Sequence, residues 1–436
     1  MVFLVDHRES VDIMLRRTKE FDRSNIFADN FRGNMPNSHV VMPTKDPRFA
    51  AQRKLIAATM SRDFLVNVAA KHILKQSFHL INLWRKKSET ASNYPFHAAD
   101  DLQQLAFDSI WAITFGTEAN TFEAQQDSLQ QKSTIGVDSS DTGQTVEFAS
   151  ADAPACYKAV ETLMHETEAA EDDIWPALSY WLRCQSRSWK RAKAYQVKVV
   201  EEGLAKSRDR LTELLSGDEL TDCVSDVMVL HEFGTAVKED RPPQYSSAAM
   251  KDELLLFVVA GHETTASTLM WAVKYMADHS QVQHDLRSAL HHVYPNGELP
   301  SGDVLARSSI PYLDATVEEI LRLGRPIPGQ IRTALCDTQI LGHAIPKGTE
   351  VFLMSNGPGY VQPSQFTTKI REHDRSKSSQ LNKDRAVPDW HATDITTFKP
   401  ERWLKEDAEG NVIFNPNAGP NSQFGVGERS CFGRKL

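Results

Sequence analysis

Residues 424–433 read Phe424-Gly425-Val426-Gly427-Glu428-Arg429-Ser430-Cys431-Phe432-Gly433. Glycines at 425 and 427 permit a tight loop with positive φ, and Cys431 then stands where a new helix would begin. A thiolate there is stabilised by backbone N–H groups and the positive end of a helix dipole, and Arg429 adds charge two residues away. The plain alternative is a free cysteine packed as a small apolar side chain. The other cysteines, Cys156, Cys184, Cys223 and Cys336, are scattered with no CxxC pair, and the total is odd. That pattern suits a reducing compartment and argues against a disulfide scaffold or a zinc ribbon, so Cys431 has to be explained singly.

Working outward, 436 residues, 41% hydrophobic and 25% charged, describe a globular chain able to bury one large core or a few smaller ones. The net charge of -9 leaves no basic excess to displace phosphate counterions, which argues against a general nucleic-acid binder. The longest apolar run, Leu254 to Ala260, is far short of the roughly 20 residues that cross a bilayer as a helix. The N-terminus lacks the basic flank, apolar stretch and cleavage site of a secretory signal. Any membrane association therefore requires an anchor upstream of this chain.

Residues 8 to 22 and 47 to 60 carry apolar positions at helical spacing, the second with a basic face from Arg48, Arg53 and Lys54. Helical patterning continues to about 115, Ser133 to Gln144 reads as a polar loop, and helix resumes near 154. Ser188 to Leu215 interleaves acids and bases as a solvated helix does. Ser246 to His279 reads as a helix about 50 Å long, with a centre that is apolar all round. Leu313, Val317, Ile320 and Leu321 mark another, ended by Gly324 and Pro326. Strand signals concentrate in 332 to 353, and residues 363 to 400 are polar and irregular, with 363–390 reading as an insertion.

The pattern FxxGxRxCxG around Cys431 is similar to the signature of the cytochrome P-450 family. Three further segments follow the resemblance in order: Ala260-Gly261-His262-Glu263-Thr264-Thr265 matches (A/G)Gx(D/E)T, Glu319-Ile320-Leu321-Arg322 matches ExxR, and Phe398-Lys399-Pro400-Glu401-Arg402-Trp403 matches FxPERW. A zinc-protease reading of His262-Glu263 fails, because HExxH needs histidine where Ala266 stands. Gly261 offers a backbone that a flat macrocycle can approach closely, and the Thr264 hydroxyl can bond back to the Ala260 carbonyl. Glu263 beside it supplies an ionisable group for passing protons. Glu319 and Arg322, one turn apart, can pair and engage Arg402.

The resemblance implies a mainly α fold with a small β-sheet in a single, incomplete domain spanning 1–436. It makes Cys431 the axial ligand of a haem iron, with Phe424, Gly427 and Gly433 shaping its loop and Ala260 and Gly261 on the opposite face. It puts Arg332 and Arg429 on the haem propionates, with Arg53 as a third candidate; Phe49 stands where the family often has tryptophan, so one indole N–H is missing. Glu263 and Thr264 are implied as the proton relay, and Glu319, Arg322 and Arg402 as a structural lock. The implied reaction inserts one atom of O2 into a small hydrophobic organic substrate, with electrons from a separate NADPH-dependent cytochrome reductase at the cytosolic face of the endoplasmic reticulum. Phe21-Asp22-Arg23-Ser24 and Val41-Met42-Pro43-Thr44 look like a fungal, secondary-metabolite branch of the family. Against the family pattern, the first strand region is expected to lie upstream of the chain, and the helix and hairpin after Cys431 are missing. Two rival readings remain at this point: an isomerase or dehydratase of the same fold, separable by NADPH consumption, and a truncated remnant without catalysis.

Overall fold

The computed structural model describes residues 1–92, 94–131, 145–148, 151–171, 175–217, 221–296, 300–363 and 370–436. The polar stretch Ser133 to Gln144 and residues 364–369 of the expected insertion lie outside them.

The central helix runs from Ala248 to Asp278, with Ser247 capping Met250 N, within two residues of the span the sequence predicts. Leu254, Leu255, Leu256, Val258 and Val259 are all buried on it. They meet Phe107, Ile110, Trp111 and Phe115 of the helix Ala99–Phe115, and Val227, Met228 and Val229 of the helix Val224–Lys238, in the largest apolar core. Burying each such side chain contributes roughly 1.5–3 kcal/mol, so this packing fixes the helix rigidly in the middle of the molecule. The solvated stretch forms Arg187–Asp209, and the segment 47 to 60 becomes the helix Pro47–Leu55 followed by a 3-10 turn.

The main sheet is larger than the sequence announces. Strands β1 (Val2–Leu4), β2 (Phe21–Arg23), β3 (Gly329–Ala334) and β4 (Glu350–Met354) pair in the order β1-β4-β3-β2. β1 runs parallel to β4, and the other pairs are antiparallel. This corrects one expectation for the N-terminus: residues 21–23 leave the helix His7–Leu15 to become strand, and Val2–Leu4 is a strand that the sequence does not announce. Leu4, Ile13, Phe21, Val351 and Leu353 form the core beneath. Three residues are too few to show a period of two, which is why neither strand is visible as a pattern.

Within 370–390 the chain makes short helical turns at Glu372–Asp374, Lys377–Leu381 and Lys383–Arg385. They are strapped to the first helix. Arg375 Nη1 and Nη2 reach Asp6 at 2.7 and 2.8 Å, Arg8 reaches Glu372, and Ser376 Oγ donates to Asp12 Oδ2 at 2.7 Å.

Candidate functional site: the cysteine loop and the face of the central helix

Gly425 and Gly427 both have positive φ, 61° and 77°. A Cβ on Gly425 would collide with Gln330 Nε2, and one on Gly427 would sit 2.8 Å from the Met14 carbonyl, so both positions require glycine. The loop closes by a Cys431 N to Phe424 O bond of 2.7 Å. Beyond it Phe432–Lys435 is a 3-10 turn with Cys431 at its cap position, rather than the start of an α-helix. Cys431 is solvent-exposed as a residue. The protein around its sulfur nonetheless pushes the thiol up by burial, against the N–H groups of Gly433 and Arg434 and the charges of Arg53 and Arg434. Burial thus opposes the ionisation that the sequence leads one to expect of this loop, and a bound metal cation would favour the thiolate. Gly433 is the one loop glycine with an ordinary φ; a Cβ there would lie 4.0 Å from the Cys431 sulfur.

Next to the loop, guanidiniums converge. The β2–β3 register sets Arg23 directly opposite Arg332, an arrangement of like charges that destabilises a sheet. Arg429 joins them; burial first and mutual repulsion second push Arg23 down to about 9, and burial pushes Arg429 down to about 10. Arg332, 5% exposed, is pushed down to about 10 by burial. Its guanidinium bonds only locally, to Ile331 O and Gln330 Oε1 at 3.0 Å. The carboxylate acting on all three is Asp22. Glu428 acts on Arg429 as well, so three cations outnumber two carboxylates here, a surplus of positive charge that an anionic group would balance. Arg23, absent from the sequence-based set, enters through β-pairing; the only hint in the sequence is the Phe21-Asp22-Arg23-Ser24 stretch itself.

Arg53 lies elsewhere in this arrangement. Its Nη1 donates to Glu428 O at 2.9 Å and Ser430 O at 3.4 Å, so it clamps the loop backbone. Arg429 donates to Thr44 Oγ1 at 2.7 Å and to Met42 O, and stands 4.0 Å over the Phe49 ring. Phe49 therefore works as an aromatic floor for Arg429, which accounts for an aromatic side chain at a position where no indole N–H is available.

On the central helix Thr264 Oγ1 donates to Ala260 O at 2.9 Å, the back-bond its spacing predicts, and the helix continues unbroken through it. Ala260 is exposed. Gly261 serves a different purpose from the one expected: an added Cβ would meet Ile110 Cγ1 at 2.6 Å, so this glycine admits the helix Ala99–Phe115 and not a ligand. Burial, then the carboxylates of Glu168 and Glu161, push Glu263 up to about 7. His262 Nε2 lies 3.8 Å from Glu263 Oε1, but burial drives His262 down, so the contact is no ion pair at neutral pH.

Glu319 and Arg322 are fully buried and bidentate, both bonds 2.8 Å. Arg402 Nε, Lys399 N and Trp403 Nε1 also donate to the Glu319 carboxylate, at 3.0, 2.9 and 2.9 Å. Arg322 spends its remaining Nη1 donors on Tyr360 O and Ile395 O. The three residues that the sequence assigns to a lock are thus brought together. A cleft of about 290 Å³ among Trp111, Phe115, Cys156, Tyr195 and Val199 contains neither Cys431 nor Thr264 and belongs to another side of the molecule.

The comparisons with known proteins agree with this geometry. A family model described as Cytochrome P450 matches residues 1–361. The chain is 35% identical over 443 residues to the cytochrome P450 monooxygenase GME11363 of Pestalotiopsis microspora, covering 100% of this chain and 76% of that one. It is 30% identical over 459 residues to the monooxygenase TRI13 of Fusarium sporotrichioides, covering 100% and 77%. The crystal structure of the cytochrome P450DA heme domain shares the fold with a TM-score of 0.66 at 18% identity, over 99% of this chain and 77% of that one. A glycine-bound cysteine loop, a cluster of cations beside it and a likeness to fungal relatives that runs through the whole of this chain converge: the chain belongs to the cytochrome P450 family of haem-dependent monooxygenases.

Proposed function

We propose that Cys431 is the sole protein ligand to the haem iron, and that the chain hydroxylates a small hydrophobic organic substrate of fungal secondary metabolism with electrons from a separate NADPH-dependent flavoprotein reductase. The observation that carries this reading is the placement of Arg23, Arg332 and Arg429 beside the Cys431 loop, an excess of buried positive charge matched by a dianionic macrocycle. When bound, the haem supplies binding and reductive activation of O2.

The chain's own residues do the rest. Arg332, Arg429 and Arg23 hold the two propionates by charge-assisted hydrogen bonds. Arg53, through Glu428 O and Ser430 O, keeps the loop in one conformation. On the other face Ala260 presents a small, exposed wall. The Thr264 hydroxyl spends its proton on Ala260 O and keeps its lone pairs for accepting one. Glu263, at about 7, is half protonated near neutrality and can both give a proton at its carboxyl oxygen and take one back from solvent. Among the described residues no helix is long and apolar enough to cross a membrane. The cytosolic face of the endoplasmic reticulum is proposed by likeness to the family alone.

The test is Cys431→His in the haem-loaded chain. The thiolate-type ferrous carbonyl spectrum is expected to vanish while haem remains bound; its retention would falsify the ligand assignment. For the reductase, NADPH oxidation dependent on an added flavoprotein and on substrate is the expected outcome.

A further inference from the structure

The central helix reaches the cysteine loop through a side chain that belongs to none of the four motifs. Glu253 is fully buried, two turns before Ala260. His39 answers it twice: its backbone N donates to Oε1 at 2.6 Å, and its Nδ1 lies 2.8 Å from Oε2. The preceding carboxylate on the helix, Asp252, holds the residue two before His39, accepting from Asn37 N at 2.7 Å and Asn37 Nδ2 at 3.0 Å. The segment 37–39 is therefore pinned to the helix at two adjacent points.

The other side of His39 faces the loop. Its ring meets Phe432, the residue after Cys431, at 6.4 Å and 61°, and Phe49 at 6.1 Å. Its carbonyl accepts from Arg429 Nη1 at 3.5 Å, and three residues on, Met42 O takes Arg429 Nη2. Phe432 is also held under Arg53 at 5.4 Å. A buried carboxylate that loses one of its donors leaves a desolvated charge behind, so Glu253 fixes His39 strongly.

We propose that Glu253 and His39 are a positioning pair that couples the central helix to the cysteine loop: Glu253 fixes His39, and His39 fixes Phe432 and Arg429 on either side of Cys431. The proposal rests on Cys431 being the iron ligand only where a spectrum is read. Neither residue touches the sulfur, so the role is positional and not catalytic.

Three variants separate the contacts. His39→Phe keeps a ring on Phe432 and deletes the side-chain donor to Glu253. His39→Asn keeps a donor near the Nδ1 position and deletes the ring. Glu253→Gln breaks the same link from the helix side. Amide hydrogen exchange at 427–433 in the haem-free chain is expected to quicken about tenfold in His39→Phe and Glu253→Gln, and to recover in His39→Asn, because one charge-assisted bond is lost or kept. In the haem-loaded chain the first two are expected to move part of the ferrous carbonyl band from the thiolate to the thiol position. Parental exchange in both overturns the proposal, as does a His39→Asn no better protected than His39→Phe. If His39→Phe does not fold, Glu253→Gln and His39→Asn decide alone. Cys431→His measured alongside keeps the two claims apart: an unchanged carbonyl band there removes the ligand assignment, while haem-free exchange still judges the pair.

Discussion

Two buried arginine clusters stand in this molecule, and they are opposites. Around Glu319 the charges are answered from within the chain: Arg322 and Arg402 share its carboxylate, Arg402 also meets Asp394, and backbone carbonyls take the spare donors. Around Arg332 the cations outnumber the carboxylates near them: β-pairing sets Arg23 against it, Arg429 adds a third cation, Asp22 acts on all three and Glu428 on Arg429. Both clusters are desolvated, so neither state follows from burial alone. Charge balance is what distinguishes scaffolding from a seat for something else: a closed network has no further use for a ligand, and an open one is relieved by it.

The contrast can be broken at either cluster. Removing the centre of the closed one, Glu319→Ala, leaves the buried Arg322 without its carboxylate and Arg402 with Asp394 alone, and is expected to cost about 3–5 kcal/mol in chemical unfolding of the haem-free chain. A loss under about 1 kcal/mol would erase the distinction from the closed side. At the open cluster, Arg332→Leu is expected to speed haem transfer to an acceptor protein by about tenfold or more, since a charge-assisted bond contributes roughly 1.5–3 kcal/mol. The same variant should leave the haem-free chain as stable as its parent or more so, because it removes a like charge facing Arg23. Equal destabilisation by Glu319→Ala and Arg332→Leu would mean that both clusters are scaffolding.

The smallest effect comes from a single carboxyl group whose neighbours share its sign. Glu263 is raised from 4.5 to about 7 by burial and by Glu168 and Glu161, so the folded chain binds that proton more tightly than the unfolded one. Its contribution is fully present below about 4.5 and is lost as pH rises through about 7. Glu263→Gln should therefore flatten the decline of stability across that window, by under about 1 kcal/mol because the side chain is partly solvated. Denaturation series at pH 4.5, 6 and 7.5, a span on the order of three units, would show it; parallel curves for parent and variant would mean that the carboxyl is not perturbed.

What could be read from the sequence was what depends on near neighbours. Two glycines flanking a turn, a threonine four residues after an alanine, and a glutamate three residues before an arginine each carry their geometry in local spacing, and the structure places all of them as spaced. The span of the central helix was legible because 31 residues display its period fully. Arg23 was not, since its role exists only once residue 23 pairs with residue 332. His39 and Glu253, 214 apart in the chain, escape for the same reason. Gly261 was assigned to the wrong neighbour: its lack of a side chain was plain, but whether a helix or a ligand uses the space depends on Ile110.

The sheet has a consequence for how the chain is made. Among the described residues β1 and β2 pair with β4 and β3, so residues 2–23 wait for these partners until residue 354 has been synthesised. At about 5–20 residues per second that wait is on the order of 20–70 s, during which Leu4, Ile13 and Phe21 are without the core they later fill. Closing a loop of this size is also slow, since nothing local rewards it beforehand. Closure brings Arg23 against Arg332, a meeting of like charges that Asp22 offsets and a further anion would favour. An anionic cofactor seated there would then favour closure of the sheet, so haem supply is expected to raise the share of newly made chains that complete it.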